Sequence, residues 1–246
     1  MNIVLNEYDS GFLAEKAGNI FLQNTREFNR ELEKKLLSKI HHNNYNFISL
    51  KSPGPINPLY FKFQGKLFNL AIDPKKLFDV LNPVQNKINV IGICDSHWAS
   101  VKELFNFASE TRFSSDPNIS KSLAQKHKMA MVMTYHKANP ALTNIILDKN
   151  NKVIGFFCSY INDTALNLYE LLVHPNYIRG YLAACLLKAV LRVALKINSK
   201  LSLVETNVYE NNNPSLNFFK GLGFNEGKVY YYYHYWNNPS REGSQG

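Results

Sequence analysis

Apolar side chains recur along this chain at two spacings, every three to four residues in some stretches and every second residue in others. Phe28, Leu32, Leu36 and Ile40 lie four apart, which predicts a helix with Asn24 as its N-cap. Further helices are predicted in residues 94–113, 119–138, 183–197 and 213–221. Strands are predicted in residues 44–52, 59–72 (with a turn at Gln64-Gly65), 86–93, 165–174, 200–208 and 228–236, and a hairpin in residues 142–161.

The order of these elements predicts an α/β protein with a mixed sheet. A strand, a helix and a strand follow one another between residues 166 and 208, which implies a parallel pair with a right-handed crossover. We therefore predict a smaller N-terminal α/β domain in residues 1–93, a second domain in residues 94–236 and a disordered tail in residues 237–246.

Composition and charge narrow the classes of partner. The 246 residues carry a formal net charge of +9, spread along the chain rather than gathered in a tail. This pattern favours a phosphorylated small molecule over nucleic acid. Three widely spaced cysteines form neither a disulfide framework nor a metal-binding pair, so no metal is expected. With no secretory signal and no membrane-spanning run, we expect a soluble cytoplasmic protein.

The segment "LLVHPNYIRGYLAACLL", residues 171–187, is the first candidate site. Here a strand ends at His174-Pro175, and a helix is predicted to begin near Ala183. Gly180 and the small residues beside the helix start can present backbone N–H groups to a phosphate. The alternative is an ordinary connection in which small residues serve packing. Both readings remain open at this point.

Two motifs in the correct order resemble the GNAT superfamily of acyl-CoA N-acetyltransferases. Residues 171–187 resemble its motif A, a hydrophobic strand followed by the diphosphate-binding pattern Gln/Arg-x-x-Gly-x-Gly/Ala. Residues 212–224, "NNPSLNFFKGLGF", resemble its later pattern Asn-x-x-Ala-x-x-x-Tyr-x-x-x-Gly-Phe. The resemblance implies a GNAT fold for the second domain and acetyl-CoA as co-substrate.

The resemblance also implies which residues contact acetyl-CoA. Two alignments of the loop differ by one residue: one places Tyr181 and Ala183 at the small positions, and the other places Gly180 and Leu182 there. In the GNAT fold the strand that ends near Val173 diverges from its parallel neighbour. The implied cofactor-binding residues are Leu172, Val173, Ile178, Arg179, Gly180, Tyr181, Leu182, Ala183, Asn212 and Phe219.

The N-terminal half resembles bacterial nucleotide-aminosugar acetyltransferases, of the dTDP-fucosamine acetyltransferase type. The similar segments are "EYDSGFLAEKAGNI", "ETRFSSDPNIS" and "YYYHYW". The implied acceptor is the amine of a nucleotide-linked amino sugar used in surface polysaccharide (O-antigen) synthesis, with Arg112 and Tyr232 as substrate-binding residues. The alternatives are a polyamine, peptide or protein amine, or a binding protein without catalysis. A homodimer is left open.

The proton-transfer groups are less well defined. The family's tyrosine gives a proton to the departing thiolate, whereas this chain has Phe219 there. Tyr209 and the tyrosines of residues 230–233 are candidate substitutes. Glu170 and His174 are candidate bases for the amine, directly or through water. For both, a purely structural role is the alternative.

Overall fold

The computed structural model describes residues 2–13, 16–84, 88–108, 111–177 and 179–237, without the side chains of Glu27 and Arg179. The strands are β1 (Val4–Leu5), β2 (Ala17–Phe21), β3 (Phe47–Ser52), β4 (Lys62–Ile72), β5 (Val90–Gly92), β6 (Thr143–Leu147), β7 (Val153–Asn162), β8 (Ala165–Val173), β9 (Leu203–Tyr209) and β10 (Asn225–Trp236). The α-helices are α1 (Glu7–Leu13), α2 (Arg30–His42), α3 (Pro74–Leu81), α4 (Trp98–Leu104), α5 (Lys121–Ala138), α6 (Arg179–Ile197) and α7 (Asn213–Gly221).

The chain forms two compact units that are discontinuous in sequence. Unit 1 comprises residues 1–68, 110–124 and 228–246, and unit 2 comprises residues 69–109 and 125–227. These units cut the chain at different places from the predicted boundary between residues 93 and 94. The final strand belongs mostly to unit 1, together with the N-terminal strands. The predicted division into functional domains stays a prediction, and the predicted disordered tail lies outside the described residues after residue 237.

In unit 1, strands β1, β2, β3 and β10 follow one another in that order, and residues 62–68 of β4 also belong to this unit. The pair β2 and β3 is parallel, with α2 in the connection, and β10 runs antiparallel to β3. One face of these strands packs under α2, where Ile20, Leu36, Ile40 and Leu50 are buried. On the other face, Phe47 packs with a second buried cluster that includes Leu13, Phe113 and Ile119. Alternating side chains thus supply two cores.

In unit 2, the strands follow the order β9-β8-β7-β6-β5. The pairs from β5 to β8 are antiparallel, and β8 is parallel to β9. Phe156 on β7 is buried with Val101 of α4 and Val132 of α5. A Cβ on the neighbouring Gly155 would lie 3.1 Å from Leu186 of α6, so α6 covers the opposite face. The predicted α/β class with a mixed sheet is confirmed.

Three local predictions are wrong. The turn at Gln64-Gly65 is absent, because β4 continues through both residues and Gly65 adopts a φ of +141° that other residues rarely reach. Asn24 caps a short 3-10 helix, while Asn29 caps α2 through its side chain to Leu32 N. Helix α6 begins at Arg179 rather than near Ala183. The predicted crossover from β8 to β9, the hairpin of β6 and β7 and helix α7 are confirmed.

Candidate functional site

A cavity of about 320 Å³ opens in unit 2 where two parallel strands separate. Strand β8 pairs with β9 only as far as Leu168, opposite Thr206, although β8 continues to Val173. The hydroxyl of Thr206 donates to the carbonyl of Leu168 at 3.1 Å, at the end of the ladder. The last residues of β8 line the cavity, so their backbone groups that point away from β7 have no strand partner there among the described residues.

A β-bulge precedes this opening. Leu168 pairs with Ser159 and Glu170 pairs with Cys158, so Tyr169 is an extra residue on β8. A bulge locally increases strand twist and interrupts regular pairing. It therefore helps to explain why β8 turns away from β9 at this point rather than further along.

The second wall of the cavity is the start of α6, with Gly180 and Ala183 in the lining. The first N–H groups of a helix lack intrahelical partners, and the helix dipole makes this end electropositive. A Cβ on Gly180 would have no atom within 4 Å, so the approach to the helix backbone is open. This terminus can bind an anion such as a diphosphate.

The other predicted residues of this segment lie in different environments. Leu182 is buried in the core, and Tyr181 shares a side-chain hydrogen bond with Cys185. Of the two alignments of the loop, the structure brings to the cavity Gly180 from one and Ala183 from the other. Ile178 and the side chain of Arg179 lie outside the described residues. Their predicted role stays a prediction.

The third wall is the start of α7. The side chain of Asn212 caps this helix by accepting from Ser215 N at 3.3 Å. Its amide NH₂ has no hydrogen-bond partner in the part of the chain that the structure describes, and Asn212 lines the cavity. Ser215 also lines the cavity, and its hydroxyl is likewise without a partner among the described residues.

Phe219, at the family's tyrosine position, does not line the cavity. It is buried and contacts Phe224, with ring centroids 5.1 Å apart, whereas Phe218 one residue earlier faces the cavity. Neither residue carries a hydroxyl. Because Asn212 and Ser215 hold the only polar side chains in the described lining, Ser215 has the only hydroxyl there.

Glu170, a predicted base, is held in an ion pair. Its Oε2 lies 2.8 Å from Nζ of Lys128 on α5, and both side chains are nearly buried. Burial raises the pKa of the Glu170 carboxyl above its ordinary value, although the Lys128 charge and hydrogen bond oppose the rise. The Glu170 carboxyl therefore has a greater affinity for a proton than an exposed glutamate has.

His174, the other predicted base, lies just beyond β8 and is half-buried. Its ring meets Phe107, a residue of the cavity lining, with centroids 5.0 Å apart. The backbone N–H of Asn176 approaches His174 Nδ1 at 3.3 Å, which favours the tautomer with the proton on Nε2. In that form Nε2 carries the proton, so it can donate a hydrogen bond but cannot accept one.

The remaining predicted residues are Tyr209, Arg112 and Tyr232. Tyr209 ends β9 and is half-buried, and its carbonyl accepts from Asn212 N at 2.9 Å; it is not in the described cavity lining. Arg112 and Tyr232 belong to unit 1, where the guanidinium lies 5.2 Å from the Tyr232 ring centroid.

Sequence reasoning missed Phe107, Phe218, Ser215 and Lys128. Ser215 stands where the family pattern has alanine, so a count along that motif would have found it. Lys128 lies on a helix far from β8 in sequence, and no spacing rule connects the two.

The comparisons with known proteins agree with this geometry. The acetyltransferase (GNAT) family matches residues 98–224. No curated protein sequence matches the chain. A functionally unknown conserved protein from Staphylococcus epidermidis is similar in structure, with a TM-score of 0.65 and 12% identity, over 96% of this chain and 90% of that one.

Two further solved structures are similar in fold. A GCN5-related N-acetyltransferase from Sphaerobacter thermophilus has a TM-score of 0.57 at 12% identity, covering 97% of this chain and 76% of that one. A tandem GNAT protein from the clavulanic acid biosynthesis pathway has a TM-score of 0.57 at 13% identity, covering 91% and 76%.

The chain belongs to the acetyltransferase (GNAT) family. It is therefore an acyltransferase of the N-acetyltransferase type, in a family that generally uses acetyl-CoA. No helix within the described ranges is long and apolar enough to cross a membrane. Within the same ranges, no three His, Cys, Asp or Glu side chains are grouped so that they could hold a metal ion.

Proposed function

We propose that this enzyme transfers the acetyl group of acetyl-CoA to the amine of a nucleotide-linked amino sugar, a precursor of surface polysaccharide. The observation that carries the acetyl transfer is the cavity between the diverging ends of β8 and β9, flanked by the starts of α6 and α7. The N-terminal sequence motifs support the choice of acceptor.

The start of α6 would bind the diphosphate of acetyl-CoA. Gly180 and Tyr181 contribute backbone N–H groups of the first turn, which the helix itself does not use. Leu182 and Ala183 are proposed to complete the contact, with Ala183 in the cavity lining. Ile178 and Arg179 are proposed to extend this contact. The free amide NH₂ of Asn212 would donate to a carbonyl of the pantetheine arm, while its oxygen keeps capping α7.

The diverging end of β8 would polarise the thioester. Leu172 and Val173 lie beyond the last β8–β9 pair, and any backbone N–H that points into the opening is free to donate to the carbonyl oxygen. As the amine attacks, negative charge grows on that oxygen. A fixed donor stabilises this charge more than it stabilises the starting thioester.

Glu170 is the proposed proton acceptor for the amine, acting through water. The Lys128 charge favours the ionised form of this carboxyl, and burial raises its proton affinity, which suits a general base. His174 in its Nε2–H tautomer is proposed as a hydrogen-bond donor instead. A role for His174 as the base stays a prediction. Substitution of His174 would lower activity in either role, as a base or as a hydrogen-bond donor.

Ser215 is the proposed donor to the departing thiolate. Ser215 lines the cavity and its hydroxyl lacks a described partner, whereas Phe219 is buried in the core. A thiol has a reference pKa of about 8.5, so hydrogen bonding near neutral pH suffices without a strong acid. Tyr209 remains the alternative donor.

The acceptor is proposed to bind through Arg112 and Tyr232. A guanidinium forms paired hydrogen bonds with a phosphate, and a tyrosine supplies a flat apolar surface with a polar tip. These properties fit a nucleotide diphosphate carrying an amino sugar.

The direct test is to incubate the protein with acetyl-CoA and a panel of dTDP- and UDP-linked amino sugars while free thiol is followed. Thiol release above the acceptor-free rate, with an acetylated sugar product by mass spectrometry, is expected. Parallel reactions contain polyamines and lysine peptides. Turnover of these amines alone would overturn the proposed acceptor, and turnover of none would overturn the proposed function for these classes.

A further inference from the structure

One face of the unit 1 sheet changes character along its strands. The register aligns Phe47 with Trp236, Ser49 with His234, and Lys51 with Tyr232. The first pair lies in an apolar core, whereas the third lies at the carboxyl ends of the parallel strands β2 and β3. Ligands of parallel sheets commonly bind at such strand ends.

Lys51 is a half-buried cation at this end of the sheet. Its Nζ lies 3.6 Å from the centroid of the Tyr230 ring and 5.9 Å from that of Tyr232. No carboxylate of the described residues forms an ion pair with it. Burial lowers the pKa of Lys51, and the charges of Arg112 and Lys228 lower it further.

Arg112 places a second cation over the ring of Tyr232, with its guanidinium carbon 5.2 Å from the ring centroid. Nη1 donates to Ser49 Oγ at 3.0 Å, and Nη2 donates to Asp9 Oδ2 at 3.4 Å. Its side chain is only 20% exposed. A guanidinium has five N–H donors, so donors remain after these two contacts. Arg112 is thus held in place by the protein without being saturated.

The nearby carboxylates do not balance these charges. Asp9 is held by Arg112 and by Asn6, and Asp116 is held by His234 and Trp236. Among the described residues, the two cations near the Tyr232 ring therefore have one carboxylate, Asp9, in an ion pair with either of them. Holding like charges together at a partly buried position costs free energy, and an anion bound between them would remove that cost.

We propose that unit 1 contains a binding site for a phosphate-type oxyanion, formed by Lys51 and Arg112 over the ring of Tyr232. The guanidinium provides a fork of donors and the ammonium provides a point charge, a combination that suits a phosphate. The ligand is a phosphorylated or nucleotide-linked small molecule. The site rests on the proposed function only for the identification of this ligand as the acceptor.

Pyrophosphate is the probe, titrated calorimetrically into the full-length protein saturated with CoA. CoA is expected to occupy the start of α6, so that the titration then reports the unit 1 site. Wild type is expected to bind at millimolar concentration or tighter, and Lys51→Gln about tenfold more weakly. Lys66→Gln is the matched control, because Lys66 lies 5.8 Å from the ring centroid of Tyr231, the tyrosine preceding Tyr232.

Arg112→Lys is the second variant, because it retains the charge but removes the fork. It should also weaken pyrophosphate binding, and a thermal melt verifies that it remains folded. Wild-type affinity in Lys51→Gln, or equal weakening by Lys66→Gln, would overturn the site. The measurement requires no turnover, so failure of acetyl transfer cannot be mistaken for failure of this inference.

Discussion

The Ser215 hydroxyl, which has no hydrogen-bond partner among the described residues, is the feature on which the proposed stabilisation of the thiolate depends. In Ser215→Ala the backbone N–H that Asn212 caps is retained, so α7 should start as before. We expect kcat to fall on the order of 10²-fold, as for the loss of one transition-state donor, while the Kd for acetyl-CoA changes little. Thiol release and a binding titration measure the two quantities.

Ser202→Ala is the control for this substitution, since that exposed hydroxyl bonds only to Thr164 Oγ1 at 3.0 Å in the described structure. Tyr209→Phe tests the other donor. If kcat falls in Tyr209→Phe and not in Ser215→Ala, the assignment of Ser215 is wrong.

The buried pair of Glu170 and Lys128 predicts an acid limb in the pH profile. The base must be ionised, so kcat/KM should fall as pH drops through the pKa of Glu170, which lies above its ordinary 4.5. Glu170→Gln should remove this limb and lower kcat/KM on the order of 10²-fold. Lys128→Met should move the limb to higher pH, since the carboxylate loses its compensating charge.

A structural role for the pair makes a different prediction. Then both single variants would lower the melting temperature, with the shape of the pH profile unchanged. Steady-state rates at several pH values therefore separate catalysis from stability, and an unmoved limb in Lys128→Met would contradict the assignment.

At the scale of elements, a negative charge added at the start of α6 should stabilise the helix but weaken the binding of acetyl-CoA. Gly180→Asp places a carboxylate at a helix N-terminus, which stabilises a helix by about 0.3–1 kcal/mol. The same charge repels the diphosphate, so we expect the Kd for acetyl-CoA to rise about tenfold or more. Gly180→Ala is the control, because the space around its Cβ is empty.

Melting curves and acetyl-CoA titrations of the wild type, Gly180→Asp and Gly180→Ala test this prediction. Equal acetyl-CoA affinity in Gly180→Asp and Gly180→Ala would show that the diphosphate binds elsewhere.

The elements that could be predicted from sequence are those whose signal is local. Helix α7 has Asn212 as N-cap and Pro214 in its first turn, and both are legible in the sequence. The start of α6 was placed too late, because Gly180 reads as a loop residue although a helix tolerates it in the first turn. The turn predicted at Gln64-Gly65 is absent because β4 is paired within the sheet, and this tertiary pairing outweighs a local turn signal.

The site was only partly predictable, for a related reason. Leu172, Val173, Gly180, Ala183 and Asn212 could be named because they follow a motif, and all five line the cavity. Lys128 could not, because its contact with Glu170 joins α5 to β8 through packing alone.

For the whole molecule, the buried pair of His234 and Asp116 predicts acid sensitivity. Burial lowers the pKa of His234 below its ordinary 6.5, as does Arg112, against the opposing effect of Asp116 at 2.7 Å and of Asp9. The unfolded chain then binds a proton that the folded protein does not. Stability should therefore be lost as pH falls below about 6.5, by up to about 1.4 kcal/mol per pH unit.

His234→Gln should flatten this dependence, measured as melting temperature between about pH 8 and 5. The pKa of Asp116 is lowered as well: burial raises it, but the interactions with His234, Trp236 and the Asn118 backbone together outweigh burial, so the contribution of Asp116 is lost at lower pH. The exposed His42→Gln is the control. An unchanged slope in His234→Gln would refute the prediction.

The net charge of +9 predicts that association with acetyl-CoA depends on salt. The positive charge of the protein attracts the phosphates of acetyl-CoA over a Debye length. This length shrinks from about 30 Å at 0.01 M salt to about 10 Å at 0.1 M salt. We expect the association rate constant, measured by stopped flow, to fall several-fold across this range. An acetylated pantetheine without phosphates is the control, and an equal salt dependence for both would contradict this explanation.

The pairing of β3 with β10 has a consequence for how the protein is made. Ser49 meets His234 across these strands, so the sheet of unit 1 cannot close until nearly all of the sequence between them has left the ribosome. Until β10 has been synthesised, one edge of β3 is unpaired, and an unpaired strand edge can associate with other nascent chains. Co-expression of chaperones that act during translation should therefore raise the soluble yield on overexpression.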